Sequence, residues 1–158
     1  MPTLPQLIEE DIQQMDAVLQ DLLERTEATT AMIVDKGGFL ITNRGDSQQF
    51  DLTTISALAS GAYMANQTIA NLVHETNFNN VYQQGEKFSM FVNCVDDHCL
   101  LIVIFEAHLS VGVVKYFCKP AAYNIASQIE VAHKRDPNAG LDLSELNVAD
   151  ASDFFKRK

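Results

Sequence analysis

Four side chains between positions 94 and 108 are of the types that bind zinc: Cys94, His98, Cys99 and His108. No pair of them has the Cys-x-x-Cys or His-x-x-x-His spacing that is typical of a metal site. Successive residues of a strand also point to opposite faces, so neighbours in the sequence do not converge on one ion. The pattern therefore predicts neither a metal site nor a bound cofactor.

Other residue types that carry out catalysis have ordinary explanations here. The chain has no glycine-rich phosphate loop and no Gly-x-Ser-x-Gly motif. Asp96 and Asp97 fit a solvated hairpin turn, and Arg44 fits a surface arginine, although it could also reach a nucleotide. Cys94 and Cys99 flank a hairpin loop and could be cross-strand neighbours, but two reduced thiols are expected in a cytosolic protein. The sequence therefore predicts no catalytic residue and no enzyme.

Composition narrows the class of protein. The chain has 158 residues, of which 47% are hydrophobic and 20% charged, and this suits one domain with a real core. Its net charge of −10 at pH 7 would repel nucleic acid, and there is no polybasic membrane anchor. The first residues do not resemble a secretion signal, and three cysteines do not make a disulfide framework. We therefore expect a cytoplasmic protein that binds no nucleic acid and does not insert into a membrane.

Hydrophobic periodicity and glycine-containing turns divide the chain into eight elements. The predicted elements are helices over residues 6–27, 52–74 and 110–133, and strands over 31–34, 39–42, 81–84, 87–95 and 100–105. The unbroken apolar run of the last strand predicts burial on both faces, and Pro120 predicts a kink or a late start in the last helix. The order α-β-β-α-β-β-β-α predicts an α+β fold, with helices on both faces of a mostly antiparallel five-stranded sheet.

A turn-rich stretch at residues 136–140 marks the only plausible boundary in the chain. It predicts one domain over residues 1–136 and a tail over residues 137–158. Apolar residues in this tail suit a short docking helix, and they are Leu143, Leu146, Phe154 and Phe155.

The helix predicted over residues 52–74 contains no charged side chain. Its apolar stripe is predicted to face the core, and it consists of Ile55, Leu58, Ala62, Ala65, Ile69 and Leu72. Small residues at four-residue steps on another face, Ala57, Gly61 and Ala65, let a second helix approach closely. Polar residues along the helix make membrane insertion too costly. Packing against another chain is the favoured interpretation, and burial between layers of its own domain is the alternative.

Several stretches of the sequence resemble the roadblock family, whose dynein light-chain-like members have a profilin-like fold. IVDKGGFLI at residues 33–41 resembles the first hairpin of the family, and ISALASGA at residues 55–62 resembles its second helix. LLIVIF followed by VGVVK, within residues 100–115, resembles its last strand and the entry to its last helix. The acidic first helix, the tail and Gln84-Gly85-Glu86 are similar to bacterial members that partner a Ras-like polarity GTPase.

The resemblance implies a function and a set of site residues. Roadblock proteins form dimers in which the second helices pack antiparallel and the third strands pair into one sheet. For this chain it implies a homodimer with these interface residues: Ala57, Gly61, Ala65, Thr68, Val81, Tyr82 and Gln83. The bacterial members bind a Ras-like small GTPase and stimulate GTP hydrolysis by remodelling its switch loops, without a catalytic site of their own. The residues implied for GTPase contact are Ser60, Tyr63, Met64 and Gln67.

Three functional hypotheses stay open at the level of the sequence. The first is a dimeric regulator that stimulates GTP hydrolysis by a small GTPase. The second is a dimeric scaffold that holds other proteins and leaves nucleotide turnover unchanged. The third is an enzyme whose site the motifs do not reveal, which a deep pocket with converging titratable groups would support.

Overall fold

Three helices and five strands follow one another in the order that the apolar pattern predicts. A computed structural model describes residues 4–135. Its elements are α1 (Glu9–Thr26), β1 (Thr30–Asp35), β2 (Leu40–Gly45), α2 (Leu52–Leu72), β3 (Asn80–Gln83), β4 (Phe88–Cys94), β5 (Cys99–Glu106) and α3 (Val111–Lys134). The strands form one sheet in the order β2-β1-β5-β4-β3, and each neighbouring pair is antiparallel. The predicted α+β class and element order are confirmed, and the predicted tail lies outside the described residues.

The centre of the sheet is β5, which is buried from Cys99 to Phe105. Alternate residues of this strand belong to two different cores. Leu101 and Val103 pack with α1 and α3, whereas Leu100 and Ile102 pack with α2 on the other face. The predicted central strand is therefore confirmed, because helices on both faces of the sheet give every position of the strand an apolar partner.

α1 and α3 bury the stripes that the sequence predicts. The most deeply buried members, each no more than 2% exposed, are Met15, Leu19, Leu22, Val114, Cys118, Ile125 and Ile129. The hydroxyl of Ser110 accepts a hydrogen bond from the amide of Val113 at 3.4 Å, which caps the first turn of α3. Because α3 begins directly at Val111, the late start considered for Pro120 is wrong.

Cys94 and Cys99 are not cross-strand neighbours. In the sheet register Cys94 lies opposite Leu100, and Cys99 lies opposite Asp35 of β1. Cys94 packs with the core on the α2 side, whereas Cys99 belongs to the core under α1 and α3. The sheet thus separates the two side chains, and both thiols are free.

Gly45 ends β2 with a φ of +97°, at a close approach of two backbone segments. A β-carbon at this position would overlap the carbonyl oxygen of Thr29 and lie 3.1 Å from the α-carbon of Thr30. We expect Gly45→Ala to lower the free energy of unfolding by about 2 kcal/mol, measured by urea denaturation. Gly112→Ala is the control, with an expected change below about 1 kcal/mol, because its β-carbon meets only the Ser110 hydroxyl at 3.4 Å. Equal stability of the two variants would contradict this backbone conformation.

Candidate functional site

α2 buries one side against the sheet and leaves several large apolar side chains exposed. Its buried residues are Leu52, Ser56, Ala59, Ser60, Tyr63 and Ala70. Three residues of the predicted core stripe are exposed instead: Leu58 by 68%, Ile69 by 47% and Leu72 by 75%. That prediction is wrong for these three residues, because Leu52 and Tyr63 occupy the contact with the sheet and the buried side of the helix is rotated away from the predicted stripe. Ile55 alone among the larger residues of the stripe packs against this core.

Ser60 and Tyr63, two of the residues implied for GTPase contact, are buried between α2 and the sheet. The Ser60 hydroxyl donates a hydrogen bond to the carbonyl oxygen of Lys36, and the Tyr63 hydroxyl donates to that of Phe78 at 3.4 Å. Burial raises the pKa of the Tyr63 phenol above its ordinary value. Both residues therefore tie α2 to neighbouring loops and expose little surface for the GTPase contact implied for them.

Met64 and Gln67, the other two residues of that set, border an open cavity of about 500 Å³. Met64 is 39% exposed, and the Gln67 amide donates a hydrogen bond to the Phe78 carbonyl oxygen at 3.5 Å. The same cavity is lined by Lys36, Asp97 and His98, whose position beside α2 the sequence does not predict. These residues come from two separate loops, so no spacing along the chain could have grouped them. The structure therefore brings charged and apolar groups together beside α2.

The outer face of α2 is an uncharged surface that this single chain leaves exposed. We define the outer face by eight exposed residues: Ala57, Leu58, Gly61, Ala62, Ala65, Thr68, Ile69 and Leu72. Four of the residues predicted for the dimer interface belong to it. Contiguous apolar surfaces of this kind mark interaction sites in soluble proteins more often than ordinary solvated surface.

β3 supplies the second set of predicted interface residues at one edge of the sheet. It pairs with β4 only, so its other edge has no strand partner within residues 4–135. Val81 packs against the core on the α2 side, Tyr82 is 38% exposed, and Gln83 is exposed. The strand therefore offers backbone groups that another strand can pair with.

The residues considered for catalysis take part in structural contacts. The Asp96 carboxylate accepts hydrogen bonds from the amides of His98 and Cys99 at 2.8 and 2.9 Å, which defines a turn. The Arg44 guanidinium lies 3.1 Å from a carboxylate oxygen of Asp16. A third cysteine, Cys118 on α3, is fully buried, and this burial raises the pKa of its thiol to about 12, which favours the protonated form.

Residues 4–135 show no metal-binding cluster and no helix that could cross a membrane. Within this part of the chain, no group of three or more His, Cys, Asp or Glu side chains is placed to hold a metal ion. None of the described helices combines the length and apolar character needed to cross a bilayer. The outer face of α2, the β3 edge and the cavity beside Met64 are the candidate contact surfaces in this part of the chain.

Comparison with known proteins places this architecture in a family. A family model described as the Roadblock/LC7 domain matches residues 15–105, which is more than half of the chain. The chain belongs to the Roadblock/LC7 family. The match to the roadblock domain begins within α1 and ends within β5, so it includes both α2 and β3. No curated protein sequence matches the chain significantly.

Solved structures of MglB proteins resemble this roadblock chain over most of its length. An MglB with a tetrameric arrangement is 27% identical, with a TM-score of 0.78, and the match covers 84% of this chain and 99% of that one. Myxococcus xanthus MglB is 30% identical, with a TM-score of 0.75, over 80% of this chain and 96% of that one. Acanthamoeba castellanii profilin II is only 13% identical, with a TM-score of 0.53 over 73% of this chain and 96% of that one, and it shows the fold alone.

Proposed function

We propose that this roadblock protein is a homodimeric regulator that binds a Ras-like small GTPase and stimulates its GTP hydrolysis in the cytoplasm. The observation that carries the proposal is the uncharged outer face of α2, which is exposed in the single chain. Similarity to MglB structures supports it, because the resemblance implies a GTPase partner for proteins of this group. Regulation, and not catalysis by this chain, is the role that these surfaces suit.

The dimer in this proposal forms when the outer faces of two α2 helices pack against each other. A helix of 21 residues is about 31 Å long, which provides a long contact without any charge to desolvate. Gly61 and Ala65 allow a close approach, while Leu58 and Ile69 bury apolar area beside them. Pairing of the β3 edges would join the two sheets, and a twofold axis satisfies both contacts with identical residues.

The GTPase-contact surface in this proposal is centred on Met64 and Gln67 and the cavity beside them. Lys36 and Asp97 add charges of both signs there, which would orient a polar partner surface. The Arg44 side chain is directed towards Asp16 of α1, on the face of the sheet opposite α2, and so away from this surface. Acceleration would therefore come from ordering the GTPase's own switch loops and catalytic groups.

Timed phosphate release from the cognate GTPase tests the proposed function. The GTPase is loaded with GTP and mixed with the full chain in excess, and the rate is compared with that of the GTPase alone. We expect an acceleration of at least about tenfold, because ordering a switch loop removes more than about 1.4 kcal/mol from the barrier. A stable complex with an unchanged rate would contradict activation and leave the scaffold function.

We expect the double variant Met64→Ala, Gln67→Ala to bind the GTPase about tenfold more weakly, because it removes an apolar and a polar contact together. Titration calorimetry measures the affinity, and sedimentation checks that the dimer persists. Tyr123→Ala is the control, since this tyrosine is 73% exposed on α3 and lies outside the proposed surface. Equal affinities for the double variant and the unmodified chain would contradict the placement of the contact.

A further inference from the structure

A groove of about 960 Å³ runs between α1 and α3, on the face of the sheet opposite α2. Val18 and Leu22 of α1 and Phe117 of α3 contribute apolar side chains to it. Tyr116 also lines the groove and is 71% exposed, so its ring is available to a segment that docks there. A groove between two helices with such a lining is suited to an amphipathic helix.

The groove concentrates positive charge on a protein whose net charge is −10. It is lined by three of the eight Lys and Arg residues in the described part of the chain, Arg25, Lys115 and Lys119. Arg25 is paired with Asp21 at 2.9 Å and lies 5.7 Å from the centre of the Phe117 ring. Lys115 and Lys119 form no ion pair with any residue in 4–135. The occupant that suits this groove is therefore both apolar and acidic.

Residues 141–155 of the same chain have this combination of properties. They contain Asp142, Glu145, Asp150 and Asp153, and no Lys or Arg. In a helix, Leu143, Leu146 and Phe154 would lie within about 80° of one another, and Asp150 would share their face. Burying the carboxylate of Asp150 with this apolar face costs free energy unless a cation pairs with it. The lysines of the groove can provide that cation.

The position of this segment in the chain allows it to reach the groove. Residues 141–155 follow α3 in the chain after a short link. The part of α3 that lines the groove lies between Gly112 and Asn124. From residue 135 back to residue 124 the distance along the helix is about 17 Å, which five extended residues can span. Residues 136–140 provide that link. Residues 141–155, as a helix of about 22 Å, would then run antiparallel to α3 beside its first half, with Asp150 near the level of Lys115.

We propose that residues 141–155 dock as an amphipathic helix in the groove between α1 and α3 of the same chain. Leu143, Leu146 and Phe154 bury their side chains against the apolar lining, and Asp150 pairs with Lys115. This proposal concerns the chain alone and does not depend on the GTPase.

Zero-length cross-linking of the full chain tests both the surface and its occupant. A carbodiimide joins lysine amines to carboxylates in contact, and the sample is an equilibrated mixture of isotope-labelled and unlabelled protein. We expect Lys115 or Lys119 to be linked to Glu145, Asp150 or Asp153, with both peptides carrying the same label. The proposal would be overturned if tail carboxylates were linked to Lys87 as often as to Lys115 and Lys119, or if the tail formed no links. Links that include mixed labels would assign the groove to the tail of another copy and would also overturn it.

Hydrogen exchange of residues 141–155 provides an independent test in the full chain. We expect the double variant Lys115→Glu, Lys119→Glu to accelerate exchange of this segment at least about tenfold, because undocked amides lose their protection. Lys87→Glu, a charge reversal outside the groove, is the control and should leave exchange unchanged. Adding Asp150→Lys to the double variant should restore at least half of the lost protection. Exchange at the same rate in the unmodified chain and in the double variant would overturn the proposal.

Discussion

Replacing Gly61 with arginine is expected to convert a dimer of about 35 kDa into a folded monomer of 17.5 kDa. A β-carbon built at Gly61 meets no atom within 4 Å, so the single chain accommodates the new side chain without strain. In the dimer, the same arginine would bring two like charges into an uncharged contact between helices, at a cost of about 2–5 kcal/mol. Sedimentation equilibrium at micromolar concentration measures the mass.

Gly112→Arg is the matched control for this experiment. Gly112 is also an exposed helical glycine, with only the Ser110 hydroxyl at 3.4 Å from an added β-carbon, but it lies on α3. We expect this variant to keep the dimer mass, and circular dichroism should show that both variants are folded. A dimer mass for Gly61→Arg, or a monomer mass for both variants, would contradict the assignment of the interface to α2.

Acid is expected to destabilise the chain through Asp11, which is buried where α1 begins and α3 ends. Two guanidinium nitrogens of Arg135 donate hydrogen bonds to its carboxylate oxygens at 2.9 and 2.7 Å, and the Gln128 amide donates another at 2.7 Å. The hydrogen bonds from Arg135, joined by those from Gln128 and from the Ile8 amide, lower the pKa of Asp11 from 3.8 to about 2, although burial acts in the opposite direction.

The direction of this pKa shift gives the sign of the pH effect. The folded state holds the Asp11 carboxylate ionised more strongly than the unfolded state does. The contribution of Asp11 to the free energy of unfolding is therefore complete above about pH 5. It is lost as the pH falls towards 2, and we expect a loss of about 2 kcal/mol from this group in urea unfolding. The Asp11→Asn variant should lack this acid-dependent part of the free energy of unfolding. At pH 7 it should be less stable than the unmodified chain by about 3 kcal/mol, because Arg135 loses its partner.

Asp21→Asn is the control for the acid experiment, because it removes an exposed ion pair with Arg25 on the same helix. We expect its stability to stay within about 1 kcal/mol of the unmodified chain and its acid sensitivity to be retained. An Asp11→Asn variant that loses stability in acid as steeply as the unmodified chain would contradict the role of this carboxylate.

Most of the fold could be predicted because its elements have one clear apolar side. In α1 and α3 the buried stripe is opposed by charged residues, so periodicity identifies both the helix and the face that packs on the sheet. The unbroken apolar run of β5 likewise shows burial on both faces before any coordinates are known. α2 lacks this contrast, because no charge marks its solvent side. The apolar periodicity of α2 therefore predicts the helix correctly but predicts the wrong side of it for contact with the core.

The candidate site was less accessible to sequence reasoning for two physical reasons. Ser60 belongs to the buried side of α2 because its hydroxyl finds a backbone carbonyl across the packed surface, and such a partner is invisible in the sequence. Lys36, Asp97 and His98 meet Met64 only because two hairpin loops lie beside α2. Cys94 and Cys99 show the converse, since they are close in sequence and the sheet keeps them apart.

The most direct test of the account is an isotope-filtered nuclear Overhauser experiment on an equimolar mixture of labelled and unlabelled full chain. This measurement detects only proton pairs that lie on different protomers and are close in space. The account predicts contacts between protomers among the methyl groups of Leu58, Ile69 and Leu72 on α2. A filtered spectrum without those contacts, or with contacts only from α3 residues such as Val113 and Val131, would contradict the α2-paired dimer on which the proposed function depends.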